Sequence, residues 1–176
     1  QGFALRGAPD LRDGLSIAGT NRASVDETWE QPWGQVRTVR DHHNELRVAV
    51  EETSAPGRRF EVVVRVFDDG VGLRYVVPDQ PGLAEVVVDD ELTEFAFAEN
   101  ADAWWIPSDR PRKDRSEMLY SRSPVSVLDS VQTPLTLEAP SGPVMVVHEA
   151  HLVDWPRMFL AGDQIEERTL RAALAP

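Results

Sequence analysis

A carboxylate and two imidazoles follow an apolar run near the end of the sequence, in the stretch PVMVVHEAHLVDW. The run at residues 143–147 is predicted to be a buried strand. His148, Glu149 and His151 come directly after it, with no turn residue between. Carboxylate oxygens and imidazole nitrogens are metal ligands. Either the strand leaves the core there and meets water, or it delivers these groups to a site.

The spacing of this stretch argues against a zinc protease. That class uses H-E-x-x-H, in which two histidines four residues apart face one side of a helix, whereas His148 and His151 are three apart and follow a strand. On a continuing strand, Glu149 and His151 would share one face and His148 would take the other. Glu149 is then either a solvated strand-end carboxylate, the commoner situation, or an oxygen ligand for a hard cation such as calcium. Calcium needs about six to eight oxygens, so its other ligands would come from elsewhere.

A second histidine pair, His42 and His43 in DHHNEL, is predicted to lie in a solvated turn before a strand, because Asp and Asn flank it. Neighbouring residues on a strand point to opposite faces, so these two side chains are not expected to share a metal ion. No Ser-His-Asp order and no glycine-rich phosphate loop is persuasive.

Four tryptophans leave two interpretations open. Trp29 and Trp33 lie in ETWEQPWG, and Trp104 and Trp105 are adjacent in DAWW. Indole rings on a β surface could stack on the flat apolar faces of sugars, or they could cover the core. The first interpretation corresponds to a carbohydrate-binding or purely structural sandwich without a metal site.

Composition limits the classes of partner. The 176 residues, 41% hydrophobic and 27% charged, are typical of one folded domain. A net charge of -12 opposes binding to phosphate backbones and anionic lipid, so neither nucleic acid nor membrane is an expected partner. The absence of cysteine excludes disulfides, thiolate metal sites and cysteine nucleophiles.

Alternating hydrophobicity predicts a mostly antiparallel β fold. The clearest element is RFEVVVRVFDDGVGLRYVVP, a hairpin with Asp69-Gly70 as its predicted turn. NELRVAVEE is a further strand, LAEVVVDDELTEFAFAEN is a strand pair or a bent strand, and three short strands are predicted between residues 123 and 152. Residues 109–120 read as an exposed polar loop, and the tail DQIEERTLRAALAP has weak helical spacing. Hairpins about every ten residues favour a sandwich.

Four stretches, taken in order, resemble the amino-terminal domain of glycoside hydrolase family 97. They are ETWEQPWGQVRTVRDHHNELRVAVEE, FEVVVRVFDDGVGLRYVVP, ELTEFAF and TPLTLEAPSGPVMVVHEAHLVDWPRMFL, and their order and spacing match over about residues 28–160. The resemblance implies an antiparallel β-super-sandwich of the galactose-mutarotase-like type, formed by residues 1–176 as a single domain. It also implies a parent enzyme in which this domain packs on a catalytic (β/α)8 barrel.

The resemblance further implies the chemistry of that parent. Members hydrolyse α-glucosides or α-galactosides with the help of calcium. The sandwich gives one calcium ligand from an E-A-x-L segment, here EAHL, so Glu149 is the implied ligand. The barrel supplies the catalytic carboxylates and the remaining ligands. No role is implied for His148, His151, Asp154 or Trp155.

Because no barrel sequence is present, the chain is expected to be a fragment of the sandwich, incomplete at both ends and inactive alone. The family is usually periplasmic or secreted, which is the expected location of the parent. A separate hypothesis, an aldose-epimerase-like enzyme, would need a catalytic carboxylate and histidine within this chain.

Overall fold

The computed structural model describes residues 2–81, 83, 86–108, 117–163 and 165–175. Within them lie fourteen strands and one 3-10 helix, Val125–Val127. The strands are β1 (Phe3–Arg6), β2 (Leu15–Glu30), β3 (Thr38–Glu52), β4 (Arg59–Val66), β5 (Val71–Val76), β6 (Val87–Glu91), β7 (Glu94–Ala96), β8 (Asp102–Trp105), β9 (Ser121–Pro124), β10 (Ser130–Gln132), β11 (Leu135–Glu138), β12 (Val144–Val147), β13 (Met158–Gly162) and β14 (Thr169–Leu174). No helix in the described ranges is long and apolar enough to cross a membrane.

The chain divides into two compact units, residues 13–86 and residues 1–12 with 87–176. The second unit, which contains Glu149, has two four-stranded sheets in the orders β10-β13-β14-β7 and β12-β11-β8-β9, and a separate β1-β6 pair. All of these pairings are antiparallel. The prediction that residues 1–176 form one domain stays a prediction.

The core of this unit joins its two large sheets face to face. Val131, Leu160 and Leu170 enter it from the first sheet, and Leu135 and Leu137 from the second. Each of these side chains is at most 1% exposed. The unit is therefore a β-sandwich, and the predicted mostly β, antiparallel sandwich fold is confirmed.

The unit of residues 13–86 is one antiparallel sheet in the order β2-β3-β4-β5. β4 pairs only with residues 44–51 of β3, whereas β2 pairs with β3 along its whole length. Residues 25–30 and 38–43 therefore form a two-stranded ribbon that extends past β4. We call residues 25–43, including the turn at 31–37, the β2–β3 ribbon.

Three local predictions in the first half of the chain need correction or refinement. The β4–β5 turn is centred on Asp68 and Asp69, because the Phe67 N–H donates to the Gly70 carbonyl at 2.9 Å, one residue earlier than predicted. His42 and His43 lie inside β3 and not in a turn, since cross-strand pairing with β2 continues to Thr38. They do point to opposite faces: His43 is 2% exposed, and the His42 side chain is 41% exposed.

The predicted helical tail is wrong. Residues 169–174 form β14, which lies between β13 and β7 and bonds to both. Leu170 and Ala172 face the core in the two-residue alternation of a strand, while Ile165 is 91% exposed. Pairing on both edges outweighs the helical propensity of a short Ala- and Leu-rich run. Of the predicted loop at 109–120, residues 109–116 lie outside the described residues, and 117–120 are exposed and irregular.

Candidate functional site

The strand that leads to Glu149 exists, but it is not buried. Among the described residues, β12 pairs with β11 alone and is an edge strand of its sheet. Val144 is 64% and Val146 58% exposed, and of the four residues only Val147 packs against the core. The apolar content of PVMVV suggested burial on both faces, whereas an edge position covers little of either.

Glu149 lies just after β12, in the irregular segment 148–157 that connects β12 to β13. Its side chain is half-buried. The Met158 N–H, at the start of β13, donates to Glu149 Oε1 at 2.9 Å. The carboxylate thus closes the base of its own loop, and Oε2 accepts no hydrogen bond from the described residues. Glu149 is therefore not the solvated strand end that most such carboxylates are.

Arg157 fixes the other side of this loop. Its Nη2 donates to Gln132 Oε1 at 2.9 Å and to the Thr133 carbonyl at 3.2 Å. The Thr133 hydroxyl donates in turn to the Met158 carbonyl at 2.9 Å. These bonds tie the start of β13, and with it the Glu149 contact, to the end of β10.

The surroundings of Glu149 disfavour its negative charge, and its pKa is raised as a result. Burial raises its pKa, and the negative charge of Glu91 raises it further. The Met158 N–H and the positive charges of His148 and Arg157 act in the opposite direction without cancelling the effect of burial. A cation beside Oε2 would favour the ionised form.

Glu91 is an acidic neighbour of Glu149 that the sequence reasoning missed. It ends β6, and the Thr93 hydroxyl donates to its Oε1 at 2.5 Å. It also lines a cleft of about 470 Å³, together with Arg12, Asp90, Leu92, Glu94, Ala161, Arg171, Ala172 and Ala173. The only sequence signal was the acidic run DDE, which does not indicate a neighbour 58 residues away.

The residues flanking Glu149 do not join it as a second ligand set. His148, His151 and Asp154 are exposed, and because residues 148–151 are irregular, the predicted shared strand face of Glu149 and His151 is wrong. Asp154 has a φ of 54°, and Trp155 meets Phe3 edge-on at 6.5 Å between ring centres. In the described part of the chain, no three His, Asp or Glu side chains are close enough together to hold a metal ion. A metal ion with three or more such ligands at Glu149 would therefore need some of them from outside the described residues.

Of the four tryptophans, one packs against the core, and sugar stacking by the other three stays a prediction. Trp105 packs against the core, and its Nε1 donates to Ser123 Oγ at 2.9 Å. Trp104 is 39% exposed, with the Arg122 guanidinium 5.2 Å from its ring centre. Trp29 and Trp33 are 50% and 83% exposed and belong to the β2–β3 ribbon, so neither covers a core in this chain.

Residues 2–175 match the family described as Glycosyl-hydrolase 97 N-terminal. The chain therefore belongs to this family, and the resemblance in the sequence is confirmed.

Three known proteins are similar to this chain in sequence or structure. A glycoside hydrolase family 97 enzyme from Pseudoalteromonas sp. strain K8, solved in complex with acarbose, superposes with a TM-score of 0.91 at 34% identity over 99% of this chain. A β-arabinopyranosidase matches with a TM-score of 0.84 at 22% identity, which shows a shared fold. A probable retaining α-galactosidase from Streptomyces bingchenggensis (strain BCW-1) is 36% identical over 103 residues, or 58% of this chain. The chain spans 26% of the Pseudoalteromonas enzyme and 15% of the α-galactosidase.

Proposed function

We propose that this chain is the amino-terminal sandwich of a calcium-dependent α-glycosidase that hydrolyses α-glucosides or α-galactosides. Within that enzyme, Glu149 gives one oxygen ligand to a calcium ion shared with a catalytic (β/α)8 barrel. Membership of the glycosyl-hydrolase 97 family supports the reaction class. The name of the S. bingchenggensis relative, a retaining α-galactosidase, supports an α-linked substrate.

The proposed role of Glu149 rests on a difference between its two carboxylate oxygens: Oε1 accepts a hydrogen bond, and Oε2 accepts none from the described residues. Oε1 is fixed by the Met158 N–H, so the carboxylate is held in one orientation. Oε2 has no hydrogen-bond donor within the described ranges, although burial disfavours the charge on this group. A half-buried, oriented carboxylate with an open oxygen is suited to a hard cation.

In this proposal the catalytic groups lie in the barrel, and this chain supplies one calcium ligand. Glycoside hydrolysis uses two carboxylates flanking the scissile bond, and in this proposal both belong to the barrel. Bound calcium would polarise the site and hold substrate or ligand oxygens in place. The residues of this chain orient one ligand through the Glu149–Met158 and Arg157–Gln132 contacts, and the isolated chain is inactive.

The experiment uses the full-length enzyme that contains this chain. Hydrolysis of aryl α-glucoside and aryl α-galactoside is measured over a calcium titration from chelator-treated enzyme, with direct calcium binding by calorimetry. Glu149→Gln should lower activity, raise the calcium concentration needed, and weaken calcium binding. Glu167→Gln, an exposed carboxylate in the same unit, is the matched control and should behave as wild type.

Two results would contradict the proposal. Unchanged calcium binding and rate in Glu149→Gln would remove Glu149 from the metal site. Hydrolysis by the isolated 176-residue chain would place catalytic groups within it. We also propose a periplasmic or secreted location for the parent, which fractionation of the producing cells would test.

A further inference from the structure

We propose that the turn of the β2–β3 ribbon is a saccharide-binding site in which the Trp33 indole stacks on a pyranose ring. The site does not involve Glu149 or calcium, so it stands or falls independently of the proposed catalytic role. Its ligand class is an α-linked gluco- or galacto-oligosaccharide.

The turn holds its shape through several contacts. The Gln31 N–H donates to the Arg37 carbonyl at 3.0 Å, and the Gln31 side-chain amide donates across the turn to the Val36 carbonyl. Gly34 has a φ of +127°, and a Cβ at this position would lie 2.9 Å from Gln31 Nε2. The backbone conformation therefore favours glycine, and a Cβ here would displace the end of the Gln31 side chain. A turn fixed in this way presents its side chains at little further entropic cost.

The turn exposes the indole ring of Trp33 to water. Trp33 is 83% exposed. A single exposed apolar side chain is ordinary, but Trp33 lines a cleft of about 450 Å³ together with Glu30, Gln31, Pro32, Gly34 and Arg37. The cleft is open to solvent, its volume lies in the range of small-ligand sites, and it combines one aromatic side chain with a few polar groups.

The polar groups suit hydroxyls. Arg37 donates from Nε and Nη2 to the same oxygen of Glu30, Oε2, at 3.2 and 3.1 Å. Within the described residues this leaves Glu30 Oε1 as an acceptor and Arg37 Nη1 as a donor. Adjacent sugar hydroxyls need one of each. The pyranose C–H face supplies the apolar surface that an indole requires.

Other ligand classes fit this turn less well. The chain carries a net charge of -12, which opposes nucleic acid. Membership of a glycoside hydrolase family makes saccharides the solutes that the parent would meet. The shared chemistry of α-glucosides and α-galactosides allows either, so both are used as probes.

The test is a titration of the 176-residue chain with maltotriose and with melibiose, followed by tryptophan fluorescence and by ligand-observed NMR saturation transfer. Wild type should bind at least one of the two sugars saturably, and Trp33→Ala should weaken that binding by about tenfold or more. Trp33→Tyr should retain part of the affinity. Trp104→Phe removes a different partly exposed indole and should leave binding unchanged. Circular dichroism checks that each variant is folded.

Two outcomes overturn the proposal. One is the absence of saturable binding by the wild-type chain to both sugars. The other is an unchanged affinity in folded Trp33→Ala; if Trp104→Phe then loses binding, the site belongs to the other tryptophan. A loss of affinity in Gly34→Ala would support the role of the fixed turn, since the side chains themselves are retained.

Discussion

The backbone amide of Met158 donates to Glu149 Oε1 at 2.9 Å. Glu149 lies near the start of the 148–157 segment and Met158 directly follows its end, so this hydrogen bond joins the two ends of the loop. The proposed calcium ligand is thus also a structural element of its own loop. Substitutions that keep an acceptor oxygen but remove the charge separate these two roles.

The stability of the isolated chain should distinguish Glu149→Gln from Glu149→Ala. Gln retains an acceptor for the Met158 N–H and removes a charge that burial disfavours, so Glu149→Gln should be at least as stable as wild type at pH 7. Glu149→Ala loses the hydrogen bond and should lower the free energy of unfolding by about 1 kcal/mol. Urea unfolding at pH 7 measures both. A Gln variant clearly less stable than wild type would show that the charge itself stabilises the loop, and an Ala variant as stable as wild type would show that the hydrogen bond does not.

The raised pKa of Glu149 should appear in the pH dependence of stability. The folded state holds this proton more tightly than the unfolded state, so the contribution of Glu149 falls as pH rises from its usual pKa of 4.5 through the raised value. The difference in free energy of unfolding between wild type and Glu149→Gln, measured against pH, should show this decline and then level off. A difference that increases over the same interval would mean that the pKa is lowered.

Arg157 should tune the charge state of Glu149. Its guanidinium lowers the pKa of Glu149, so Arg157→Gln should raise that pKa further. Carbon-13 NMR titration of the glutamate side-chain carboxyls reports it directly. Arg22→Gln, an exposed arginine in the other unit, is the charge-matched control. An unaltered Glu149 titration in Arg157→Gln would indicate that the two groups do not interact.

A buried ion pair in the 13–86 unit should matter more than its exposed neighbour. Arg58 Nε and the Arg58 N–H both donate to Glu52 Oε2, at 2.8 and 3.0 Å, and the side chains are 3% and 10% exposed. Arg58→Met should cost about 3–5 kcal/mol because it removes the opposite charge and leaves the buried Glu52 carboxylate with the backbone N–H of residue 58 but no cation. Arg59→Met breaks only the exposed pair with Glu51 and should cost below about 1 kcal/mol.

The Arg58–Glu52 pair should lose its contribution to stability when the pH is lowered. Hydrogen bonds from the Arg58 side chain are the largest cause of the lowered pKa of Glu52. Its stabilisation is therefore present above the usual pKa of 4.5 and is lost as pH falls from there through the lowered value. Urea unfolding at stepped pH checks this, and equal losses for wild type and Arg58→Met on acidification would contradict it.

Much of the strand pattern could be predicted from alternation alone, because a half-buried strand must alternate its side chains. Phe95 and Phe97, two residues apart, both pack against the core, whereas Glu94 is exposed. The tail was misread because Leu170 and Leu174, four residues apart, fit both a helical spacing and the even spacing of one strand face. Pairing with β13 on one edge and with β7, which is distant in sequence, on the other decides between them.

The candidate site was predictable only in part. Glu149 could be singled out by its position after an apolar strand and by the E-A-x-L resemblance. Its contact with Met158, its exposed approach along β12 and its neighbour Glu91 depend on chain reversals and sheet order. No local pattern encodes those relationships.

The β2–β3 ribbon sets the position of Trp33 by counting residues. Each residue adds about 3.4 Å along an antiparallel strand, and successive side chains alternate between faces. Deleting one residue from each arm would retract the turn by about 3.4 Å and present the next ribbon pair on the opposite face, whereas deleting two would retract it by about 7 Å with the facing restored. The distance of Trp33 from the end of β4 can therefore change only in steps of whole residues. Insertions or deletions of two residues in each arm would change that distance and keep the facing of the side chains.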